Sequence, residues 1–223
     1  MKIPIHILLI GASGRLGKAI ITAANTLPTF QIKTQITRSC LWPDHLNSID
    51  VVLDVSTSDA LKNHLCKIVK AEKPLVIGTT GHCPQMLLEI HEASKSIPLL
   101  ITSNFAPGMD LMKHLIAMFP KNSTTSIQEI HHTEKKDAPS GTAKDLAKLT
   151  KTPVNEILVE RKEGVIGIHK VQLHLEDEIL EISHTALCRE VFAKGALKAC
   201  HFLSNKVAGL YTSFHDETEK YHD

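Results

Sequence analysis

The chain has 223 residues, of which 43% are hydrophobic, and its 25 Lys and Arg residues nearly balance its 24 Asp and Glu residues. This length and composition exclude a disordered chain and predict one large core or two modest ones. The balanced charge provides no global field for nucleic acid or an anionic membrane, so we predict neither partner and expect any anion site to be local.

The N-terminal apolar run, residues 3–10, is interrupted by Pro4 and His6 and is far shorter than a membrane span. We interpret it as a first strand and not as a signal peptide. A loop with three glycines follows it, and residues 18–27 have the pattern of a helix that ends before Pro28. The chain therefore opens with a strand, a glycine loop and a helix.

The first half continues this alternation. Strands are predicted at residues 30–37, 51–55, 74–78 and 98–102, and helices at residues 59–71 and 85–94. Alternation with short connections predicts a parallel sheet covered by helices, which is a Rossmann-type α/β domain.

After about Pro107 the regular alternation of strands and helices ends. We predict a helix at residues 111–119, a strand at 126–131, a helix at 143–149, strands at 167–175 and 179–184, and a closing helix at 191–203. The predicted organisation is a dinucleotide-binding domain of residues 1–107 and 190–223, with a smaller α+β domain of residues 108–189 inserted in it.

The glycine loop has the spacing G-x-x-G-x-x-G and stands between a strand and a helix, which is the context of a dinucleotide site. Glycine lets the main chain approach a pyrophosphate, and the helix N-terminus faces it. A tight turn without a ligand is the alternative. The candidate residues are Gly11, Ala12, Ser13, Gly14, Arg15, Leu16 and Gly17.

The end of the second strand normally carries an acidic residue that binds the adenine ribose of NAD. Thr37 and Arg38 stand there instead. An Arg without a neighbouring carboxylate suits a 2′-phosphate, so we predict NADPH in preference to NADH. The alternative is that Arg38 is a solvated surface residue.

The densest polar run is E-I-H-H-T-E-K-K-D-A-P-S-G-T-A, residues 129–143. His131 and His132 are adjacent on a predicted strand, so their side chains point to opposite faces. Lys135 adds a positive charge, and residues 140–142 (Ser140, Gly141 and Thr142) open a helix whose main-chain N–H groups predict a carboxylate or phosphate site. Singly, each feature also fits a solvated surface or an ordinary cap; together they favour a functional site.

These residues resemble the dihydrodipicolinate reductase family, over residues 7–210. Its signature E-x-H-H-x-x-K-x-D-A-P-S-G-T-A is met at every fixed position. Further family motifs occur as Gly78-Thr79-Thr80-Gly81, Asp54 at a strand end, Asn104-Phe105, Glu181-Ile182-Ser183-His184 and residues 189–197.

The resemblance implies reduction of 4-hydroxy-tetrahydrodipicolinate to tetrahydrodipicolinate by NAD(P)H, in lysine and diaminopimelate biosynthesis. It implies that His131 is the general acid, that Lys135 acts in both catalysis and substrate binding, and that residues 108–189 bind the substrate and form the oligomer. The substrate's carboxylates would be held by His132, Lys135, Ser140, Gly141 and Thr142. The implied cofactor contacts are residues 11–17, Arg38, Gly78, Thr79, Thr80, Ser103, Asn104, Phe105 and Ala106.

The chain also departs from the family. Val55-Ser56 replaces a common Phe-Thr, which removes an aromatic near the nicotinamide, and Ala106 stands where a serine is common. The connections at residues 39–50 and 161–169 are short. The second belongs to the region that builds the family's subunit interface, so we expect a homo-oligomer, with a tetramer favoured, held by the strands at 167–175 and 179–184.

Three functions are consistent with this sequence. The first is the reductase described above. The second is an NADPH-binding regulator or degenerate reductase, although such a protein has no need of an acid and a dicarboxylate clamp. The third is a related reductase that acts on another cyclic imine or a semialdehyde.

Overall fold

A computed structural model describes residues 4–40, 42–120 and 123–214. The few residues at either end of the predicted dinucleotide domain lie outside this description. The chain divides into two compact units: unit 1 runs through Phe105 and resumes at Phe192, and unit 2 is Ala106–Val191. These divisions lie next to the boundaries that we predicted at residues 107 and 190.

The elements follow one another as β1 (Ile5–Ile10), α1 (Arg15–Asn25), β2 (Phe30–Ile36), β3 (Val51–Asp54), α2 (Ser58–Lys70), β4 (Leu75–Ile77), α3 (Pro84–Ser94), β5 (Pro98–Ile101), α4 (Pro107–Ala117), β6 (Thr124–His131), α5 (Gly141–Thr150), a 3₁₀ turn (Val154–Glu156), β7 (Leu158–Arg161), β8 (Gly167–His174), β9 (Ile179–Ala186), α6 (Glu190–Ser204) and β10 (Gly209–Tyr211). Helix α1 begins at Arg15, earlier than predicted, because Gly14 takes the N-cap position. Sequence reasoning did not predict β7 or β10, which are short and lack an alternating pattern.

Unit 1 contains a six-stranded sheet in the order β10-β5-β4-β3-β1-β2, in which every pairing is parallel. This confirms the predicted Rossmann-type sheet. Strand β1 pairs with β2 on one side and β3 on the other, so the strand order reverses at β1. Such a switch point opens a crevice at the carboxyl ends of the strands, where dinucleotides bind.

Both faces of the unit 1 sheet are buried, which explains the continuous apolar runs of its strands. Ile7 and Leu9 pack with α1 and α6 on one face, while Leu8 and Ile10 pack with α2 and α3 on the other. Each such side chain contributes about 1.5–3 kcal/mol when it is fully buried. Gly195 lets α6 lie against the main chain of Phe105, because a Cβ at this position would overlap the Phe105 carbonyl oxygen.

Unit 2 contains a four-stranded mixed sheet in the order β7-β6-β8-β9, with α4 packed against β9 and α5 against β6. Strands β6, β8 and β9 pair antiparallel, and β7 is a parallel edge strand. Alternate residues of β8 are buried, including Val171 and Leu173. Between β7 and β8 the chain makes only a short turn at residues 162–166.

Within the described residues, no helix is both long and apolar enough to cross a bilayer.

Candidate active site

Strand β6 brings two ionisable side chains to the buried face of the unit 2 sheet. Glu129 and His131 are two residues apart, so they point to the same side of the strand. The Glu129 side chain is fully buried and that of His131 is 9% exposed. The sheet register then places His169 opposite Glu129 and Arg161 opposite His131. Four polar residues from three strands therefore meet in one buried cluster.

Glu129 is the centre of this cluster. Its Oε1 accepts a hydrogen bond from the main-chain N–H of Ser140 at 3.0 Å and lies 3.5 Å from the Arg161 guanidinium. Its Oε2 lies 3.4 Å from Nδ1 of His131 and 3.8 Å from Nε2 of His169. One carboxylate thus contacts a cation, a helix cap and two imidazoles.

Arg161 also fixes the loop that follows β6. Its guanidinium donates hydrogen bonds to the carbonyl oxygen of Asp137 at 2.7 Å and to that of Glu160 at 2.9 Å. The main-chain N–H of Lys162 donates to the carbonyl oxygen of His131 at 2.7 Å. Residues at the end of β7 therefore hold both the end of β6 and the loop that follows it.

The buried imidazoles resist protonation. Burial lowers the pKa of His131 to about 4; the Glu129 charge opposes this shift, and Lys135 and Arg161 add to it. Burial and the neighbouring His131 lower the pKa of His169 to about 3. The two rings meet edge to face, with centroids 5.0 Å apart. Desolvation disfavours the charged form of any histidine, and here it outweighs the carboxylate.

The predicted anion site already contacts a carboxylate of the chain itself. The Lys135 ammonium donates to Oδ1 of Asp137 at 2.8 Å, and the main chain of Gly141 also hydrogen-bonds to this carboxylate. Burial alone would raise the pKa of Asp137, but these hydrogen bonds and the Lys135 charge lower it. Lys135 and the N-terminus of α5 therefore stabilise one carboxylate charge.

One main-chain donor predicted for an incoming anion, the Ser140 N–H, is already occupied. Ser140 caps the helix through Oγ, which accepts from the N–H of Ala143 at 3.1 Å, but its own N–H is bound to Glu129. The main-chain donors that we assigned to an incoming anion are therefore reduced by one. Gly141, the buried Thr142 and the Ser140 hydroxyl remain as candidate contacts. His132 is half-buried and directly follows the last residue of β6.

Sequence reasoning missed the roles of Glu129, Arg161 and His169. Glu129 was noted only as a signature position. Its place between the buried Ile127 and His131 signals a buried acid on the core face of β6. His169 has the same phase on β8, between Gly167 and Val171. A buried acid and a buried histidine require polar partners, and this requirement was the available signal.

Glu129, His131 and His169 also have the proximity of a metal site, since their ligand atoms lie within 4.8 Å of one another. The charges around them favour a different role. Arg161 already faces the Glu129 carboxylate, and the charges of Lys135 and Arg161 both act on His131. Two cations beside the cluster oppose a third. The sequence contains no H-E-x-x-H spacing and no H-x-E with C-x-x-C, so we predict no metal for this chain.

The glycine loop of unit 1 is shaped by close main-chain contacts. Gly11 has φ +90°, a conformation that favours glycine, and a Cβ there would lie 2.6 Å from the Val55 carbonyl oxygen. A Cβ on Gly17 would overlap the Gly11 carbonyl oxygen. Ser13, Gly14 and Arg15 are exposed, whereas the side chains of Ala12 and Leu16 pack into the core. Cofactor contacts from Ala12 and Leu16 would therefore come from the main chain.

Arg38 lies close to this loop. The N–H groups of Gly11 and Ala12 both donate to the carbonyl oxygen of Ile36, the last residue of β2. Arg38 is exposed two residues further on. Residues 37–40 contain no carboxylate, so the end of β2 presents a positive charge beside the glycine loop.

A second group of predicted cofactor residues surrounds the end of β4. Thr79 is buried and its hydroxyl donates to Asp54, which also accepts from the N–H of Ser56 at 3.0 Å. Burial raises the pKa of Asp54 against the effect of these hydrogen bonds. The Phe105 ring lies where a Gly78 side chain would be, beside Val55, so Phe105 supplies an aromatic ring close to the Val55 position. Thr80 is exposed, and Ser103 and Asn104 are half-buried.

Phe105 and Ala106 are both buried, at 3% and 0% exposure. Phe105 closes unit 1 and Ala106 opens unit 2. The Phe105 side chain packs in the core of unit 1, and Ala106 has only a methyl group, so polar contact with a cofactor would again come from the main chain.

The parallel sheet, its switch point and the glycine loop define a Rossmann-type dinucleotide-binding class. Residues 5–105 match the family model for the N-terminus of dihydrodipicolinate reductase, and residues 108–215 match the model for its C-terminus. The chain belongs to the dihydrodipicolinate reductase family.

Individual relatives agree with the family models. The 4-hydroxy-tetrahydrodipicolinate reductase of Bdellovibrio bacteriovorus is 35% identical over 214 residues, which cover 93% of each chain. That of Clostridium novyi is 36% identical over 240 residues, covering 92% of this chain and 95% of the relative. The second alignment is longer than this chain of 223 residues, so that relative carries residues that this chain lacks.

A solved structure of dipicolinate-bound dihydrodipicolinate reductase from Paenisporosarcina sp. TG-14 has the same fold. Its TM-score is 0.78, with 95% of this chain and 98% of that chain covered at 19% identity.

Proposed function

We propose that this chain catalyses the NAD(P)H-dependent reduction of 4-hydroxy-tetrahydrodipicolinate to tetrahydrodipicolinate, in lysine and diaminopimelate biosynthesis. The observation that carries the proposal is the carboxylate of Asp137 held by Lys135 and Gly141, in the same unit as the buried His131. A substrate with two carboxylates requires such a clamp, and 4-hydroxy-tetrahydrodipicolinate reductases from several bacteria are relatives over most of the chain.

His131 is the proposed general acid. Hydride addition to the unsaturated ring of the dehydrated substrate forms a carbon–hydrogen bond and leaves an enamine-like anion, which then takes a proton. Burial holds the pKa of His131 at about 4 in the structure described here. A dianionic substrate beside the imidazole raises that pKa, because nearby negative charge favours the protonated ring. Substrate binding therefore favours the protonated, acid form of His131.

Lys135 and the start of α5 are the proposed substrate clamp. Lys135 and Gly141 would exchange their contacts with Asp137 for contacts with a substrate carboxylate. Thr142 and the Ser140 hydroxyl would add to this clamp, and His132, which directly follows β6, would also hold the substrate. Charge-assisted hydrogen bonds of this kind contribute about 1.5–3 kcal/mol each. Their geometry also sets the distance for hydride transfer.

NADPH is the proposed cofactor. Gly11 to Gly17 would cradle the pyrophosphate, and the first turn of α1 carries no acidic residue that would repel it. Arg38 would bind the 2′-phosphate. The segments around Thr79, Thr80, Ser103, Asn104 and Ala106 would contact the rest of the cofactor.

We also propose that the protein is a cytoplasmic homo-oligomer, with a tetramer favoured. The face of the unit 2 sheet opposite the helices carries exposed apolar residues at Leu158 and Ile179, exposed by 64% and 58%. It also carries polar groups of β6, β8 and β9, such as Ser126, Gln172 and Glu181. Light scattering across a dilution series measures the assembly, and a mass of one subunit at micromolar concentration would contradict it.

The test of function is oxidation of NADPH that depends on the condensation product of pyruvate and aspartate semialdehyde. We expect turnover by the wild type and its loss in His131→Gln. NADPH binding without turnover of any imine would support the regulator instead. Turnover only with a different cyclic imine would assign the third function.

A further inference from the structure

We propose that Glu129 is the positioning residue of this site: it holds His131 with Nδ1–H directed at its own carboxylate and thereby leaves Nε2 as the nitrogen that delivers the proton. The catalytic consequence rests on the proposed function, whereas the orientation and tautomer of His131 do not.

The first observation is a pair of complementary buried atoms. Oε2 of Glu129 and Nδ1 of His131 are both buried, and neither has a hydrogen-bond partner among the described residues. They face each other at 3.4 Å, which is an ion-pair distance and slightly longer than a hydrogen bond. A buried unpaired polar atom costs about 1–3 kcal/mol, so a small rotation that joins these two atoms is favoured. A carboxylate can only accept, and Nδ1 must then carry the proton.

The second observation is that Glu129 is held from its other oxygen. Oε1 accepts the N–H of Ser140 and faces Arg161, and these contacts come from the start of α5 and from β7. Oε2 is thereby turned toward the imidazoles. A carboxylate anchored in this way can orient His131 without moving itself, as carboxylates do behind many metal-bound and catalytic histidines.

The third observation concerns the opposite edge of the ring. Gly167 precedes Ile168, which pairs with Ile130, and a Cβ on Gly167 would lie 3.1 Å from Nε2 of His131. Because glycine has no side chain, β8 leaves this edge of the imidazole uncovered. Nδ1 therefore faces a fixed acceptor, while Nε2 faces a position kept clear of side-chain atoms.

The charges around His131 make Glu129 necessary. The groups that face it are Lys135 and Asp137 from the loop after β6, Arg161 from β7 and His169 from β8. Burial, Lys135 and Arg161 all disfavour the imidazolium, and Glu129 is the largest contribution in its favour. Without the Glu129 charge, the acid form of His131 would be scarcer at every pH.

The experiment compares wild type with Glu129→Gln, which retains the shape and removes the charge, and with Glu160→Gln, an exposed acid on neighbouring β7, as the matched control. Histidine ¹⁵N NMR, assigned with His131→Gln, reads the tautomer and pKa of His131. We expect an Nδ1–H tautomer in wild type and a lower His131 pKa in Glu129→Gln. Glu160→Gln should change neither.

Kinetics supply the catalytic readout. We expect Glu129→Gln to lower kcat by about 10- to 100-fold, the usual effect of losing a partner that orients a ligand or catalytic group, with little change in KM. The alkaline fall of kcat should move to lower pH, since the active form is protonated. Glu129→Asp should recover part of the rate.

Several results would overturn the inference. An Nε2–H tautomer in wild type would do so without any variant, and this measurement decides the matter even if Glu129→Gln does not fold. An unchanged His131 pKa in Glu129→Gln, or a loss of kcat no larger than in Glu160→Gln, would also overturn it. If wild type shows the Nδ1–H tautomer but does not turn over the proposed substrate, the proposed function fails and the positioning role of Glu129 survives.

Discussion

The two units provide for anions in different ways. In unit 1 the candidate site consists of main-chain groups. They belong to Gly11, Gly14 and Gly17 and to the first turn of α1, which carries no acidic residue. In unit 2 it is a set of ionisable side chains in which Glu129, His131 and His169 are buried. A pyrophosphate needs fixed donors and no proton transfer, whereas reduction of an imine needs a group that changes its protonation state. Buried ionisable side chains are therefore expected in the unit that would supply the proton, and not in the unit that would only bind a pyrophosphate.

The largest expected effect is at His131. His131→Gln or His131→Ala should lower kcat by about 10²-fold or more with a smaller effect on KM, because the lost proton donor acts in the transition state. Steady-state kinetics with NADPH and the condensation product measure this, with the exposed His91→Gln as a control. An unchanged kcat would remove His131 from the acid role and with it the difference between the two units.

Lys135 should come next. Lys135→Ala should weaken binding of 2,6-pyridinedicarboxylate by about 10- to 150-fold, the equivalent of 1.5–3 kcal/mol for a charged hydrogen bond, and should lower kcat as well. Calorimetric titration measures the affinity, and the exposed neighbour Lys136→Ala is the control. If Lys135→Ala bound the dicarboxylate as tightly as wild type, the clamp would lie elsewhere.

In unit 1, Arg38→Ala should weaken NADPH more than NADH, by at most the same 1.5–3 kcal/mol, because an exposed Arg on a phosphate is partly screened by solvent. Fluorescence titration of both cofactors tests this, with the exposed Lys33→Ala on β2 as control. Equal losses for the two cofactors would show that Arg38 does not read the 2′-phosphate.

A separate effect concerns the dependence of folding stability on pH. His131 and His169 have pKa values of about 4 and about 3 when folded, below the 6.5 of an unfolded histidine. The unfolded chain therefore takes up protons first as the pH falls. Their contribution to stability is complete above about pH 6.5 and is lost toward pH 4, with a slope of at most about 1.4 kcal/mol per pH unit for each histidine.

Urea unfolding at pH 7, 6 and 5 measures this slope. Burial raises the pKa of Asp54, so this residue makes the fold more stable as the pH falls, opposite to the histidines. The difference between wild type and His169→Gln therefore isolates the contribution of His169 to the slope. The variant should lose less stability between pH 7 and 5. Identical slopes in the two proteins would show that His169 is not buried in the neutral form.

Much of this protein was predictable from its sequence, because the relevant signals are local. Hydrophobic runs with short connections predicted the parallel sheet of unit 1, and the glycines between a predicted strand and a predicted helix indicated the loop that precedes α1. The signature run predicted that residues 140–142 open a helix, and Ser140 is the N-cap of α5. Such features depend on residues that are near one another in the chain, so spacing and periodicity reveal them.

The surroundings of Glu129 and His131 could be identified only from the tertiary structure. Periodicity shows that Glu129 and His131 share a face of β6, but it does not show which strands lie beside β6. Arg161 and His169 reach the cluster through strand pairing: Arg161 on the parallel β7, which is too short to signal itself, and His169 on the antiparallel β8. The start of α5 brings the Ser140 N–H to Glu129, and β8 brings Gly167 beside His131. Strand order and register are set by non-local packing of a whole hydrophobic face, and that information is spread over the entire unit.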